Sequence, residues 1–267
     1  MTQQRLTDLD GVTVNDNTAW IHHAAGKLRL DAPPVPATGN YNAEAAVTRA
    51  AQALREHGPR ALEIRQSSDW TEAGRRKAAA PAALACFWKI ASAYDDAERA
   101  LEAANERERR LLAVPAPDLR TPGAAIRAWE ARSFFRDLDK AGKLQFLARV
   151  QQGHHGAEEV LAALMSGPMV GLDDDVETVR TAWETHRRES NATETEAIEC
   201  DRQSARWAMA SIQVIGVAAA EAFQGLAEPL EVLTRNAKGQ MPEGFGAFGL
   251  APDVVRRAVA LDALKAA

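Results

Sequence analysis

Apolar side chains return at alternating intervals of three and four along two stretches of this chain, the repeat that lays one helix lengthwise against another. In the first stretch the positions are Phe87, Ile90, Tyr94, Ala97, Leu101, Ala104, Glu108 and Leu111, all apolar except Glu108. In the second they are Val176, Val179, Trp183, His186, Ser190, Thr193, Ala197, Cys200, Ser204, Trp207, Ser211, Val214 and Ala218, with apolar ends and a polar middle. Each stretch contains a long run without helix breakers: 33 residues free of glycine and proline lie between Pro81 and Pro115, and 44 lie between Gly171 and Gly216. Both are rich in Ala, Glu and Arg, and the first also in Leu, residues that lose little rotamer freedom in a helix. The pattern predicts two rods over 82–113 and 173–224, the unbroken runs being roughly 50 and 65 Å long at 1.5 Å per residue, packed as an antiparallel pair. The polar middle of the second, near Arg187 to Glu196, is expected to be solvated, bent or turned toward a partner.

Shorter elements fill the rest. Val12 to Val14, a turn at Asn15 to Asn17 and Thr18 to Ile21 read as a hairpin, with Lys27 to Leu30 as a third short strand. The whole of 1–42 is then either a small β segment or an extended arm, ended by Pro33, Pro34 and Pro36. Asn42 caps a helix from Ala43 to His57 that Gly58 and Pro59 should stop. A shorter helix starts at Ser68 or Asp69 and runs to Ala79, after which Pro81 suits the first turn of the first rod. Short helices are expected from Pro122 to Asp137, Lys143 to Gln152 and Ala157 to Met165. Gly225 and Pro229 close the second rod, and a glycine-rich loop from Gly239 to Gly249 leads to a last helix, Pro252 to Lys265. The expected organisation is an arm at 1–42, a helical domain at 43–230, and a linker with a terminal helix at 231–267.

Composition narrows the function classes. A hydrophobic share of 46% with 26% charged residues is that of a soluble globular chain and excludes bulk disorder. Aromatics at only 6% suit thin helix–helix packing. A net charge of −5 provides no field that would draw the chain to nucleic acid or to an anionic membrane. The densest basic group, Arg107, Arg109 and Arg110, alternates with Glu106 and Glu108 and reads as a solvated helix face. Cys86 and Cys200 form neither a disulfide framework nor a CxxC site, so a reducing compartment is expected. Met1 to Asp10 lacks the apolar core of a signal peptide, and the most apolar window, Trp207 to Ala220, is broken by Ser211, Gln213 and Gly216. The chain is expected to be neither secreted nor membrane-spanning.

Each motif that invites chemistry has a plainer reading. Gly244, Gly246 and Gly249 spell the dinucleotide fingerprint, but the polar run Arg235 to Pro242 precedes them where a buried strand is needed, so a flexible linker is expected. His22 with His23 and His154 with His155 lack ligands at helical or strand spacing and read as loop or surface histidines, whereas His186 falls on the second seam as a packing residue. The carboxylates Asp95 and Asp96, Glu158 and Glu159, and Asp173 to Asp175 lie on rods or at helix starts, where solvation or capping accounts for them. Trp88, Trp183 and Trp207 read as core. No serine nucleophile elbow is present. No catalytic, cofactor or metal site and no small-molecule substrate is expected.

Within 134–172 the residues Arg136, Leu138, Leu144, Leu147, Glu159, Leu161, Ala162, Ala163, Leu164, Pro168, Gly171 and Leu172 form a helix, a short loop and an E-x-L-A-A-L-x-x-x-P-x-x-G-L segment. A long helix with His186, Arg187 and Arg188 and an Ala/Glu-rich run from Thr193 to Ala222 follows, and the charged stretch Ala97 to Ala113 precedes it. This arrangement, over roughly 95–225, resembles uncharacterised helical proteins of tailed bacteriophages and prophages. The resemblance implies a phage-encoded protein made near the head and tail structural genes. Together these readings give an all-α fold: a long antiparallel helical hairpin with short capping helices and a small β or extended N-terminal arm. The expected role is a non-enzymatic virion or virion-assembly component that acts through helix packing and terminal arms. Its partners would be further copies of itself or other virion proteins, in the virion or the host cytoplasm. The alternative is a cytosolic phage accessory protein that binds and modulates a host protein through the polar face of the second rod.

Overall fold

A computed structural model describes residues 12–15, 18–23, 26–31, 41–114, 122–152, 157–165, 175–236 and 244–266. The fold is all-α, built on long helices, with a small sheet at its N-terminal end. Strands β1 (Val12–Asn15), β2 (Thr18–His23) and β3 (Gly26–Asp31) form an antiparallel meander in the order 1-2-3, with Val12 opposite Ile21 and Ile21 opposite Leu28. The N-terminal segment is therefore a β element. It lies with β2 against α1 (Tyr41–Gln66), and Leu28 packs on the helical core.

The helices that follow are α2 (Glu72–Leu112), α3 (Pro122–Asp137), α4 (Lys140–Gln151), α5 (Ala157–Met165), α6 (Val176–Ser190), α7 (Ala192–Ala222), α8 (Pro229–Arg235) and α9 (Pro252–Ala266), with a 3-10 turn at Phe245–Phe248. Where a single helical domain over 43–230 was expected, the chain divides into two compact units. The first comprises Met1–Ala104 and Glu199–Ala267, and the second Asn105–Ile198.

In the first unit α1 does not stop at Gly58 and Pro59 but carries both inside it. An interior proline costs about 3 kcal/mol. The apolar stripe nevertheless runs on, because Leu54, Ala61 and Ile64 are all buried at helical spacing, and Gly58 is buried between them. Arg65 in the last turn adds a long-range anchor, its Nη2 donating to the carbonyls of Glu221, Ala222 and Gln224 at 3.1, 2.7 and 3.0 Å. A cation on the last carbonyls of a helix is the favourable pole for its dipole. Helix α2 likewise overruns its expected start. Thr71 caps it by accepting the Gly74 amide at 3.2 Å, and Pro81 lies ten residues inside with its ring toward solvent, while Ala79, Ala83 and Cys86 continue the buried stripe.

The expected second rod is two helices. Asn191 leaves the helical region at φ −126°, ψ 44°, and its side chain donates to the Arg187 carbonyl at 2.8 Å. Thr195 restarts the ladder, its amide donating to Asn191 O at 2.9 Å. The break falls inside the polar middle of the seam. Within each unit the long helices meet antiparallel. In the first unit Phe87 and Phe223 stack edge to face at 5.3 Å, and Gln213 reaches Tyr94 Oη at 3.4 Å. In the second, Arg107 pairs with Glu194 and Arg188 with Glu108.

Of the expected seam, Phe87, Ile90, Tyr94, Ala97, Ala104, Val179, Trp183 and Trp207 are buried, and Leu101, Leu111 and Val176 are half-buried. In α7 the expected positions Ser204, Trp207, Ser211 and Ala218 are buried and Val214 is exposed at 42%, while the positions one residue on, Ile198, Ala205, Ala208, Ile212, Ile215 and Ala219, are more fully buried. A strict heptad repeat drifts by about 20° per heptad against a straight α-helix, so five heptads from Val179 displace the face by about one residue. The core of the second unit is Phe135, Leu147, Val150, Leu161, Leu164, Val179, Ala182 and Trp183.

Candidate interaction surfaces

The glycine fingerprint is a packed wedge, where a flexible linker was expected. Residues 239–243 of the expected loop lie outside the described residues, but from Gly244 onward the chain enters the core of the first unit. A Cβ on Gly244 would stand 1.9 Å from Ala91 O, and one on Gly246 would stand 2.7 Å from the Tyr94 ring. From the other side, a Cβ on Gly216 of α7 would stand 1.9 Å from Ala247 O. The glycines are therefore spaces that let a 3-10 turn press against α2 and α7, a role unrelated to phosphate. Phe245 and Ala247 are buried, and Phe248 meets Phe87 edge-on at 5.3 Å. Gly249 closes the turn at φ 67°, a conformation that glycine adopts without strain. No sequence signal marked this, because the partners, Ala91 and Gly216, are remote along the chain.

One cluster of titratable groups also lies in the first unit, between α1 and α2. Lys89 Nζ pairs with Glu56 Oε2 at 2.8 Å, and His57 Nε2 stands 3.8 Å from the same oxygen. The hydrogen bond from Lys89 holds the Glu56 carboxyl below the usual range, while burial holds the His57 imidazole below its usual value. Cys86 is buried nearby, and burial pushes its thiol up to about 12. A thiol so shifted is protonated at neutral pH and is a poor nucleophile. The cluster contains the residue types of a thiol–imidazole pair without the thiolate such chemistry needs. Cys200 is a free, half-buried thiol.

In the second unit two side chains of α6 take hold of the end of α2. Trp183 Nε1 donates to Leu112 O at 2.7 Å and Arg187 Nε to Leu111 O at 2.9 Å, with the Arg187 guanidinium 5.5 Å from the Trp183 ring centre. Trp183 is thus a core residue with a polar task, and His186 is buried beside it in sequence. Asp175, expected to serve the helix dipole, makes no cap bond and instead pairs with Lys143 at 2.6 Å, both largely buried. Asp139 caps α4 by accepting the Gly142 amide at 2.7 Å. The basic group on α2 is cross-linked by charge: Arg109 and Arg110 pair with Glu106, and Arg107 with Glu194.

The same unit presents large apolar side chains outward: Ile126 at 57%, Trp129 at 65%, Phe134 at 54% and Leu144 at 54% exposed. Phe134 is half of a ring pair with Phe146 at 5.5 Å. Leu144 edges a groove of about 370 Å³ between α4 and α6, with Leu147, Ala148 and Ala182 as its apolar part and Gln151, Glu177, Thr178 and Thr181 as its polar part. In the first unit Val214 and Val217 of α7 and Val254 and Leu261 of α9 are also exposed.

His154, His155, Asp173 and Asp174 lie outside the described residues, and His22 and His23 lie in β2. Among the described residues no three His, Cys, Asp or Glu side chains are grouped to hold a metal ion, and no helix is long and apolar enough to cross a membrane. No family model, no curated protein and no solved structure matches this chain.

Proposed function

We propose that this protein is a non-catalytic subunit of a larger protein assembly, contacting several neighbours through separate helix faces. The observation that carries this reading is the set of outward apolar side chains on α3, α4, α7 and α9, led by Trp129. Tryptophan is enriched at the centres of protein interfaces, and a ring two-thirds exposed is available for such a contact. At about 100° per residue, Ile126 and Trp129 share one side of α3, while Phe134 lies about 140° away from Trp129. These side chains therefore make separate small contacts, which suits a subunit with several neighbours better than a receptor for one ligand.

The finer reading is a virion or virion-assembly component of a tailed bacteriophage. It is supported by the phage-like residues between Arg136 and Leu172, several of which, Leu147, Leu161 and Leu164, are the core of the second unit. The test is mass spectrometry of purified particles and assembly intermediates, which should contain the chain at stoichiometric level. Its absence from both, together with stoichiometric capture of one host protein from lysate, would replace this reading with that of a host-directed accessory factor.

A further inference from the structure

The turn from Gly244 to Leu250 is a self-contained unit. Its backbone bonds close on themselves: the Ala247 amide donates to Gly244 O at 3.3 Å, Gly249 to Gly246 O at 3.1 Å, and Leu250 to Phe245 O at 3.1 Å. None of these three bonds is made to α2 or α7, so departure from the cleft between them would break none of the three. What holds it there is shape and apolar contact: Phe245 and Ala247 buried, and Phe248 on Phe87.

That shape is selective. The cleft tolerates no Cβ at the positions of Gly244 and Gly246, and α7 tolerates none at Gly216. A segment from an unrelated protein fits only if it carries glycine at both turn positions with small and aromatic residues in the same order. Every copy of this chain carries such a segment. Seven residues, 237–243, join Asn236 to Gly244, an extended reach of roughly 25 Å at 3.3–3.6 Å per residue. Helix α9 lies against α8 and the turn, and keeps Val254 and Leu261 exposed on its far side, apolar area that a second chain would cover.

We propose that the α2–α7 cleft accepts the 244–250 turn of a second copy, so that the chain self-associates by exchanging its tail. The exchanged turn makes the same contacts as the resident one, so concentration decides between the closed monomer and the exchanged form. This inference is independent of the virion reading.

The test uses two full-length variants. Gly216→Val shuts the cleft and leaves the turn intact; Gly244→Val leaves the cleft open and spoils the turn. Each alone should run as a monomer by light scattering coupled to size exclusion. Mixed, they should form a one-to-one complex of twice the monomer mass, because the intact turn of the first fits the open cleft of the second. A mixture that stays monomeric while circular dichroism shows both variants helical overturns the proposal. Should either variant lose its helices, wild-type chain decides. Photo-cross-linked mixtures of light and heavy-nitrogen protein should then join 244–250 of one isotope to α2 or α7 of the other. Same-isotope pairs alone overturn the proposal.

Discussion

Replacing Gly216 by alanine separates the two readings of the C-terminal glycines. If the tail were a tether, Gly216→Ala would remove a glycine from the interior of α7 and stabilise the protein by about 1 kcal/mol, the usual propensity difference. In the observed packing the new methyl lands 1.9 Å from Ala247 O and 2.7 Å from the carbonyl carbon, where ordinary contact begins at 3.4 Å. The obstacle is backbone, so no side chain rotates out of the way. Relief requires about 1.5 Å of movement between helix and turn, and overpacking of this kind costs about 1–3 kcal/mol. If the turn leaves instead, burial of Phe245 is lost, worth about 1.5–3 kcal/mol. Either way the penalty at least cancels the propensity gain of about 1 kcal/mol. We expect a net loss of about 0.5–2 kcal/mol in urea unfolding once the turn is displaced, with earlier proteolytic release of 244–266. Gly58→Ala is the matched control: its methyl would meet only Leu54 Cδ1, at 3.4 Å, and should stabilise by about 0.5–1 kcal/mol. An unchanged or raised midpoint for Gly216→Ala, with the tail no easier to cleave, would refute the wedge.

Three further outcomes check the rest of the structure. Ile215→Glu should abolish cooperative unfolding, since it places a charge at a position with no exposure, whereas Val214→Glu, at 42% exposure, should shift stability by no more than about 0.5 kcal/mol; equal effects would restore the strict heptad register. Trp183→Phe removes the donor to the half-buried Leu112 carbonyl and should cost about 1 kcal/mol in chemical denaturation, the usual net worth of one such hydrogen bond. Burial holds His57 below its ordinary value of 6.5, so as pH falls through 6.5 the unfolded chain takes up this proton first and stability drops. His57→Gln should flatten that slope in thermal melts between about pH 7 and 5, while the loss from Glu56, whose carboxyl is lowered from 4.5 by Lys89, belongs to more acidic solution and should persist.

Local pattern determined a good deal. Wherever neighbouring residues agree on one period, the element is where the sequence places it: the strand positions at Val12, Thr18 and Lys27, the bounds of α3 and α5, and the buried faces Phe87–Ile90–Tyr94–Ala97 and Val179–Trp183–His186. These depend on propensity and spacing over two or three turns, which act within the segment itself. The failures share one cause. Gly58, Pro59 and Pro81 are breakers by local rule, yet contacts reaching across the unit, such as Arg65 on the end of α7, outweigh a cost of about 3 kcal/mol. The seam was legible over the short span of α2; in α7 Ser204, Trp207, Ser211 and Ala218 are buried as expected, but the centre of the buried face lies one residue on and leaves Val214 exposed, because periodic drift accumulates with length and Asn191 interrupts the helix. The glycines of the tail carried no readable meaning alone. What they do depends on Ala91, Tyr94 and Gly216, residues that only the fold brings so close to the turn that a Cβ on Gly244, Gly246 or Gly216 would clash, and close packing between distant segments leaves no periodic trace in either.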